Sequence, residues 1–331
     1  MQEMWRVVLT TTFLFGGLAS AAEPEIRSIA VPPELAAVTS NPELSGVVWS
    51  PSLHRYLVVT DDSGLRDKGT NHQPLLLGLS QDGALDKAPI LIHGVKAIND
   101  PESICAGPDG SYFLVTSHSP NRKNKTSPER RQLLQLKEDK GALRVLASMD
   151  LTHVKGAESL LALAGLPADG RLDIEAITYH AGALFVGFKS PLTDRGEAAI
   201  LRISNPLAAL RAGKLSANAV ERFVAVRLCV DGKDAQVCQG ISDMTFLADG
   251  SLILSANAPK GGPKDNGGAL WHLTAPIGKT PAVLLGRFPK LKPEGVTLSP
   301  SGRSLVVVFD CDTQSPKWTE IPLPLPAKPK D

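Results

Sequence analysis

The 331-residue chain carries 35 basic and 34 acidic side chains, 43% hydrophobic residues and only 5% aromatic ones. A formal net charge of +1 excludes a dedicated nucleic-acid binder, which needs clustered basic surface to release counterions. The apolar content excludes a largely disordered chain, and Gly (29) and Pro (26) without a triplet period exclude collagen while suiting many short strands joined by tight turns.

Residues 1–22 read as a secretory signal peptide. Arg6 precedes the apolar run VVLTTTFLFGGLA, and small residues up to Ala21 and Ala22 offer a cleavage site. Glu3 weakens the positive start, so an uncleaved anchor is the alternative. The expected location is periplasmic or secreted, with no transmembrane segment after cleavage. Residues 23–322 read as one domain, and 323–331 as an extended Pro- and Lys-rich tail. In an oxidising compartment the Asp231-Gly232 turn brings Cys229 and Cys238 together as a local disulfide, while Cys105 and Cys311 are not paired by sequence alone.

Five segments repeat along the chain. They begin near Leu44, Asp100, Asp173, Gln239 and Lys292, and each reads strand, turn, strand. Glu102 to Gly110, Ser242 to Gly250 and Glu294 to Gly302 each span 8 residues, and Glu175 to Gly182 spans 7. A glycine recurs there because tight hairpins need a residue that tolerates positive φ. A second hairpin follows most pairs, as in LLLGLSQDGALDKAPILI after the first and AAILRISNPLAALRAGKLSANAVERF after the third, which makes four-stranded antiparallel modules. Anchor positions Ser45, Glu102, Glu175, Ser242 and Glu294 lie 57, 73, 67 and 52 residues apart, leaving room for long loops. Stacked radially, such modules form an all-β β-propeller with five blades visible in the sequence; the alternative, a β-sandwich, does not predict the near-equal spacings. The segment Glu25–Pro32 is placed to complete the short fifth blade. Residues 151–172 break the pattern and read as a helical or irregular insert, where a sixth blade could hide.

In a ring the start of each inner strand and the end of the second strand open on one face. That gathers Glu102, Glu175 and Glu294, with Asp243 beside Ser242, as candidate ligands for a divalent cation, and Ca²⁺ suits such oxygen donors. The alternative is that these polar residues hydrogen-bond backbone amides of neighbouring blades, with Lys189 as the internal competitor for a cation. Asp61, Lys189, Asn257 and Arg122 are candidate ligand-binding residues, and His118 a candidate base, because they follow second strands or lie in the rim loops. Those loops also carry Arg66, Lys68, His72, Lys123, Lys125, Arg130, Arg131, Arg195, Lys260 and Lys264, which favours an anionic ligand. There is no Gly-x-Ser-x-Gly elbow, Walker loop, His-Glu-x-x-His motif or dinucleotide fingerprint.

The stretch LDIEAITYHAGALFVGFKSPL at Leu172–Leu192 resembles exported bacterial propellers of a phytase-like type, whose pattern is Leu-Asp-Ile-Glu-Gly-Leu followed by Gly-Leu/Phe-Arg-x-Pro. Ala176 stands where that family has Gly and Lys189 where it has Arg. The Glu-Gly openings are more remotely similar to gluconolactonase and paraoxonase propellers, which implies channel Ca²⁺ and hydrolysis of lactones or esters, with Glu102, Glu175 and Glu294 as the positions to match. Two functions follow as expectations. One is a Ca²⁺-dependent hydrolase of an anionic ester, a phosphoester or lactone, in which His118 or a channel glutamate takes the proton. The other is a non-catalytic module for an envelope partner.

Overall fold

The computed structural model describes residues 24–37, 39, 42–61, 75–121, 123–156, 159–232, 235–259, 267–311 and 315–323. The signal segment 1–22 and tail residues 324–331 lie outside them, as do Arg66, Lys68, His72, Arg122, Lys260 and Lys264.

The chain forms a five-bladed β-propeller. From the axis outward, the first blade runs Leu44–Ser50, Arg55–Thr60 and Leu76–Leu79. The second runs Pro101–Ala106, Ser111–Thr116, Leu133–Asp139 and Ala142–Met149. The third runs Asp173–His180, Ala183–Ser190, Glu197–Ser204 and Val220–Arg227. The fourth runs Gly240–Phe246, Leu252–Asn257, Gly268–Leu273 and Val283–Phe288. The fifth runs Lys292–Leu298, Ser304–Asp310 and Lys317–Pro322, and Arg27–Ser28 adds its outermost strand.

Inner strands are buried on both faces because each blade is sandwiched between two others. Five apolar clusters fill the five gaps. Leu57 and Val59 meet Ile104 and Leu114 between the first two blades, and Leu44 and Val58 meet Val306 and Trp318 where the ring closes. Each such side chain contributes about 1.5–3 kcal/mol when buried.

Two strand expectations need correction. The segment around Ile90 makes only isolated bridges to the first blade, and Ile92–His93 then joins the second blade in parallel, giving it five strands. Pro89 lacks the N–H that a continuing fourth strand would donate. Within the third blade, the helix Pro206–Ala212 replaces part of the expected outer hairpin. Among the described residues, the insert holds no sixth blade. It carries the short helix Leu160–Ala164, capped by Ser159 and ended by Gly165 at φ 67°, and seals the edge between the second and third blades. Cys229 and Cys238 are bonded directly across a small hairpin, with Cα atoms 3.9 Å apart. Among the described residues, no helix is long and apolar enough to cross a membrane.

Candidate functional site at the channel mouth

In all five inner strands the pairing register slips at the same place. The shifts fall between Leu44 and Val47, Pro101 and Ser103, Ile174 and Ala176, Ile241 and Asp243, and Pro293 and Gly295. These are the positions of Ser45, Glu102, Glu175, Ser242 and Glu294. A bulge inserts a residue that has no partner across the ladder and re-aims its side chain. Here the repeated bulge is what collects residues from distant sequence at one axis.

Three of the four proposed metal ligands do converge. Ser45 Oγ donates to Glu102 at 3.4 Å. Lys189 Nζ lies 2.6 Å from Glu175 and 3.3 Å from Glu294, joining the third blade to the fifth. Asp173, which the sequence reading passed over, completes a trio: one carboxylate oxygen each from Glu102, Asp173 and Glu175 lie within 4.8 Å of one another. Its signal was the Asp-x-Glu spacing, which places a second carboxylate two residues before the bulge that re-aims Glu175.

Burial pushes the Glu102 carboxyl well above the ordinary range, and the charges of Glu175, Asp61 and Asp173 push it further, against Lys189. Burial also raises Glu175, with Lys189 opposing and Glu294 and Asp173 reinforcing the shift. For Lys189, burial works against the charge, but Glu175, Glu294 and Asp173 outweigh it and hold the ammonium protonated. The site is therefore a cluster of crowded carboxylates around one internal cation, with Asp61 at its edge.

The raised carboxyls set the pH dependence of stability. A carboxyl whose folded pKa exceeds its unfolded value stabilises the fold below the unfolded pKa, and that contribution is lost as pH rises through the folded value. We expect the metal-free protein to lose melting temperature as pH rises above the ordinary carboxylate range, because Glu102 and Glu175 must then ionise in the folded channel. A divalent cation, which needs ionised carboxylates, should flatten that fall. Calorimetric scans with EDTA and with CaCl₂ measure both slopes.

The other candidates are placed differently. Asp243 is buried and holds backbone and hydroxyl donors: Oδ2 accepts from Val296 N at 2.9 Å, and Oδ1 accepts from Ser103 Oγ at 2.8 Å. Ser103 Oγ in turn accepts from Ile177 N at 3.2 Å. The Asp243 carboxylate thus ties the fourth, fifth, second and third blades together, and it belongs to the joint rather than to the metal set. Asn257 is buried, with Nδ2 donating to Ser242 Oγ at 2.8 Å and Pro293 O at 3.0 Å, so its amide protons link two blades instead of facing a ligand. His118 is 3% exposed; its Nδ1 lies 2.7 Å from Thr116 O and its Nε2 3.4 Å from Leu151 N. Burial lowers its pKa to about 4, and with both nitrogens against backbone it is a packed histidine, which removes it as the base. Arg130 also turns inward and leaves the rim.

No protein-family model matches the chain, and no curated protein matches it. Solved structures do. The chain is similar to a protein provisionally designated a gluconolactonase (16% identity, 91% of this chain and 93% of that one, TM-score 0.40). It is also similar to a periplasmic gluconolactonase from Pseudomonas aeruginosa (13%, 82% and 68%, TM-score 0.38). A mannose phosphorylase from Leishmania mexicana, solved with phosphate, is a further neighbour (10%, 89% and 86%, TM-score 0.48). At these identities the likeness concerns fold, and function has to be argued from the channel itself.

Proposed function

We propose that this is an exported propeller whose channel mouth binds a divalent cation, Ca²⁺ by its donor type, and hydrolyses a small anionic ester there. The observation that supports it is the gathering of Glu102, Asp173 and Glu175 within 4.8 Å, with Glu294 alongside and Lys189 as the cation among them. Carboxylates crowded in a low-dielectric channel repel, and a hard cation with oxygen ligands relieves that repulsion. The fit rests on donor chemistry: all three side chains offer carboxylate oxygens, and the raised pKa values of Glu102 and Glu175 mark those two as short of positive charge.

When bound, the cation would supply Lewis-acid polarisation of an ester oxygen. Glu102, Asp173 and Glu175 would hold it. Lys189 would keep Glu175 and Glu294 oriented and offer positive charge to the anionic part of the substrate. Glu294, paired with that ammonium, would accept a proton from the attacking water.

The competing reading, a non-catalytic envelope module, draws on the same lysine. Its ammonium already lies within 3.3 Å of both Glu175 and Glu294. A calcium titration followed by thermal unfolding separates the two. A native-state ligand at a hundred times its Kd stabilises by about 2.7 kcal/mol. The wild type should show a saturable rise, and the Glu175→Gln, Glu294→Gln double variant should lose it. A flat response at millimolar Ca²⁺ would leave the module. Hydrolysis of phosphoester and lactone panels then tests the reaction.

A further inference from the structure

Arg130 sits in the turn Pro128–Arg130, above the second blade, and is 7% exposed. Its Nε donates to the Ser119 carbonyl at 2.9 Å and its Nη1 to Asn99 Oδ1 at 2.7 Å. Its Nη2 meets the Asp100 carboxylate, Ser117 Oγ at 3.2 Å and Ser119 Oγ at 3.0 Å. The Arg130 carbonyl accepts from His118 N at 2.8 Å. Asp100 and His118 both have left-handed backbone, at φ 59° and φ 57°, a conformation uncommon outside glycine, and both are tied down by the bonds just described. The segment around this guanidinium is therefore over-determined.

Both ends of that network lead to the carboxylate trio. Asp100 is followed directly by Pro101 and Glu102. The Asp100 carbonyl accepts from Ser117 N at 2.9 Å, and the Ser117 carbonyl accepts from Ile174 N at 2.7 Å. Ile174 is the residue between Asp173 and Glu175. We infer that Arg130 is a positioning residue for the cation site: by clamping Asp100 to the Ser117–Ser119 turn, it sets how far Glu102 lies from Asp173 and Glu175. This rests on the cation reading above. The role needs the planar fork of arginine, because several acceptors in different directions are satisfied at once, and a lysine would supply the charge without that spread.

Crystal structures of the wild type and Arg130→Gln, with calcium calorimetry on the same full-length proteins, test the inference. In the variant, Asp100 and His118 should leave the left-handed region and Glu102 should move relative to Asp173. Calcium affinity should fall by about ten- to a hundredfold, as when supporting shells of metal sites are removed, with stoichiometry unchanged. Leu134→Ala, a core variant of the same blade, should lower the melting temperature while affinity stays put, which separates positioning from general destabilisation. Arg130→Lys should restore affinity only in part, and it carries the test where Arg130→Gln does not fold. Unmoved carboxylates or unchanged affinity in the arginine variants would overturn the inference. A wild type that binds no calcium would sink the cation reading alone, and the carboxylate positions in the variant would still decide the role of Arg130.

Discussion

Asp243→Ala is expected to cost about 3–5 kcal/mol of unfolding free energy, the range for removing one partner of a buried charged network. The size follows from what the carboxylate holds. Burial pushes its pKa well up, while donors from Val296, Ser103, Met244 and Val47 pull it back, so removal strands several donors away from water. Val47 belongs to the first blade, which brings all five blades into the network through Asp243 and Ser103. Asp243→Asn should cost less, since one oxygen acceptor remains. Both losses should be independent of added calcium, as read from urea midpoints with EDTA and with CaCl₂. A calcium-dependent difference between wild type and Asp243→Asn would return this residue to the metal set.

Lys189→Met should produce a loss of similar size that behaves in the opposite way. It removes the ammonium between Glu175 and Glu294 and leaves buried like charges facing one another, worth about 3–5 kcal/mol near neutral pH. Acid should recover part of it, because a protonated carboxyl needs no counter-charge. Calcium should recover part as well, and by more than it stabilises the wild type, because the vacated position no longer has an internal competitor. Denaturant midpoints at about pH 5 and about pH 8, with and without CaCl₂, give the full comparison. A variant indifferent to both pH and calcium would show that Lys189 does not balance the channel.

The blade repeat was legible because four of the five hairpin turns carry a glycine seven or eight residues after the strand's anchor, and that spacing survives loops of any length between blades. The convergence of Glu102, Glu175 and Glu294 was legible for the same reason. Asp243 was misread because only its neighbourhood explains it. The residues after the five anchors are Gly46, Ser103, Ala176, Asp243 and Gly295. A Cβ on Gly46 would press against Ser103 and Ile104 backbone, and one on Gly295 against Ser45. The axis therefore admits small residues at that level, and the one larger side chain reaches across the ring. His118 was misread because sequence gave its place after a strand but not the left-handed turn that folds its ring back onto Thr116 and Leu151. The outer strand of the first blade was overcounted because hydrophobic pattern does not say which neighbouring sheet a strand will join.

Arg27–Ser28 pairs with Trp318 and Lys317, so the beginning and end of the described chain share one sheet. Arg27 also covers the Trp318 ring, 5.6 Å from its centroid, and Ile29 N donates to Pro316 O at 2.8 Å. Synthesis delivers these partners at opposite times. Until the final stretch emerges, the opening strand has nowhere to dock, and the apolar seam between the first and last blades stays wet. Completion of the circle thus depends on contacts of very long sequence separation, which form slowly. The two ends are not equivalent: Arg27–Ser28 is an exposed outer edge, whereas the closing strand carries Trp318 into the seam between the first and last blades.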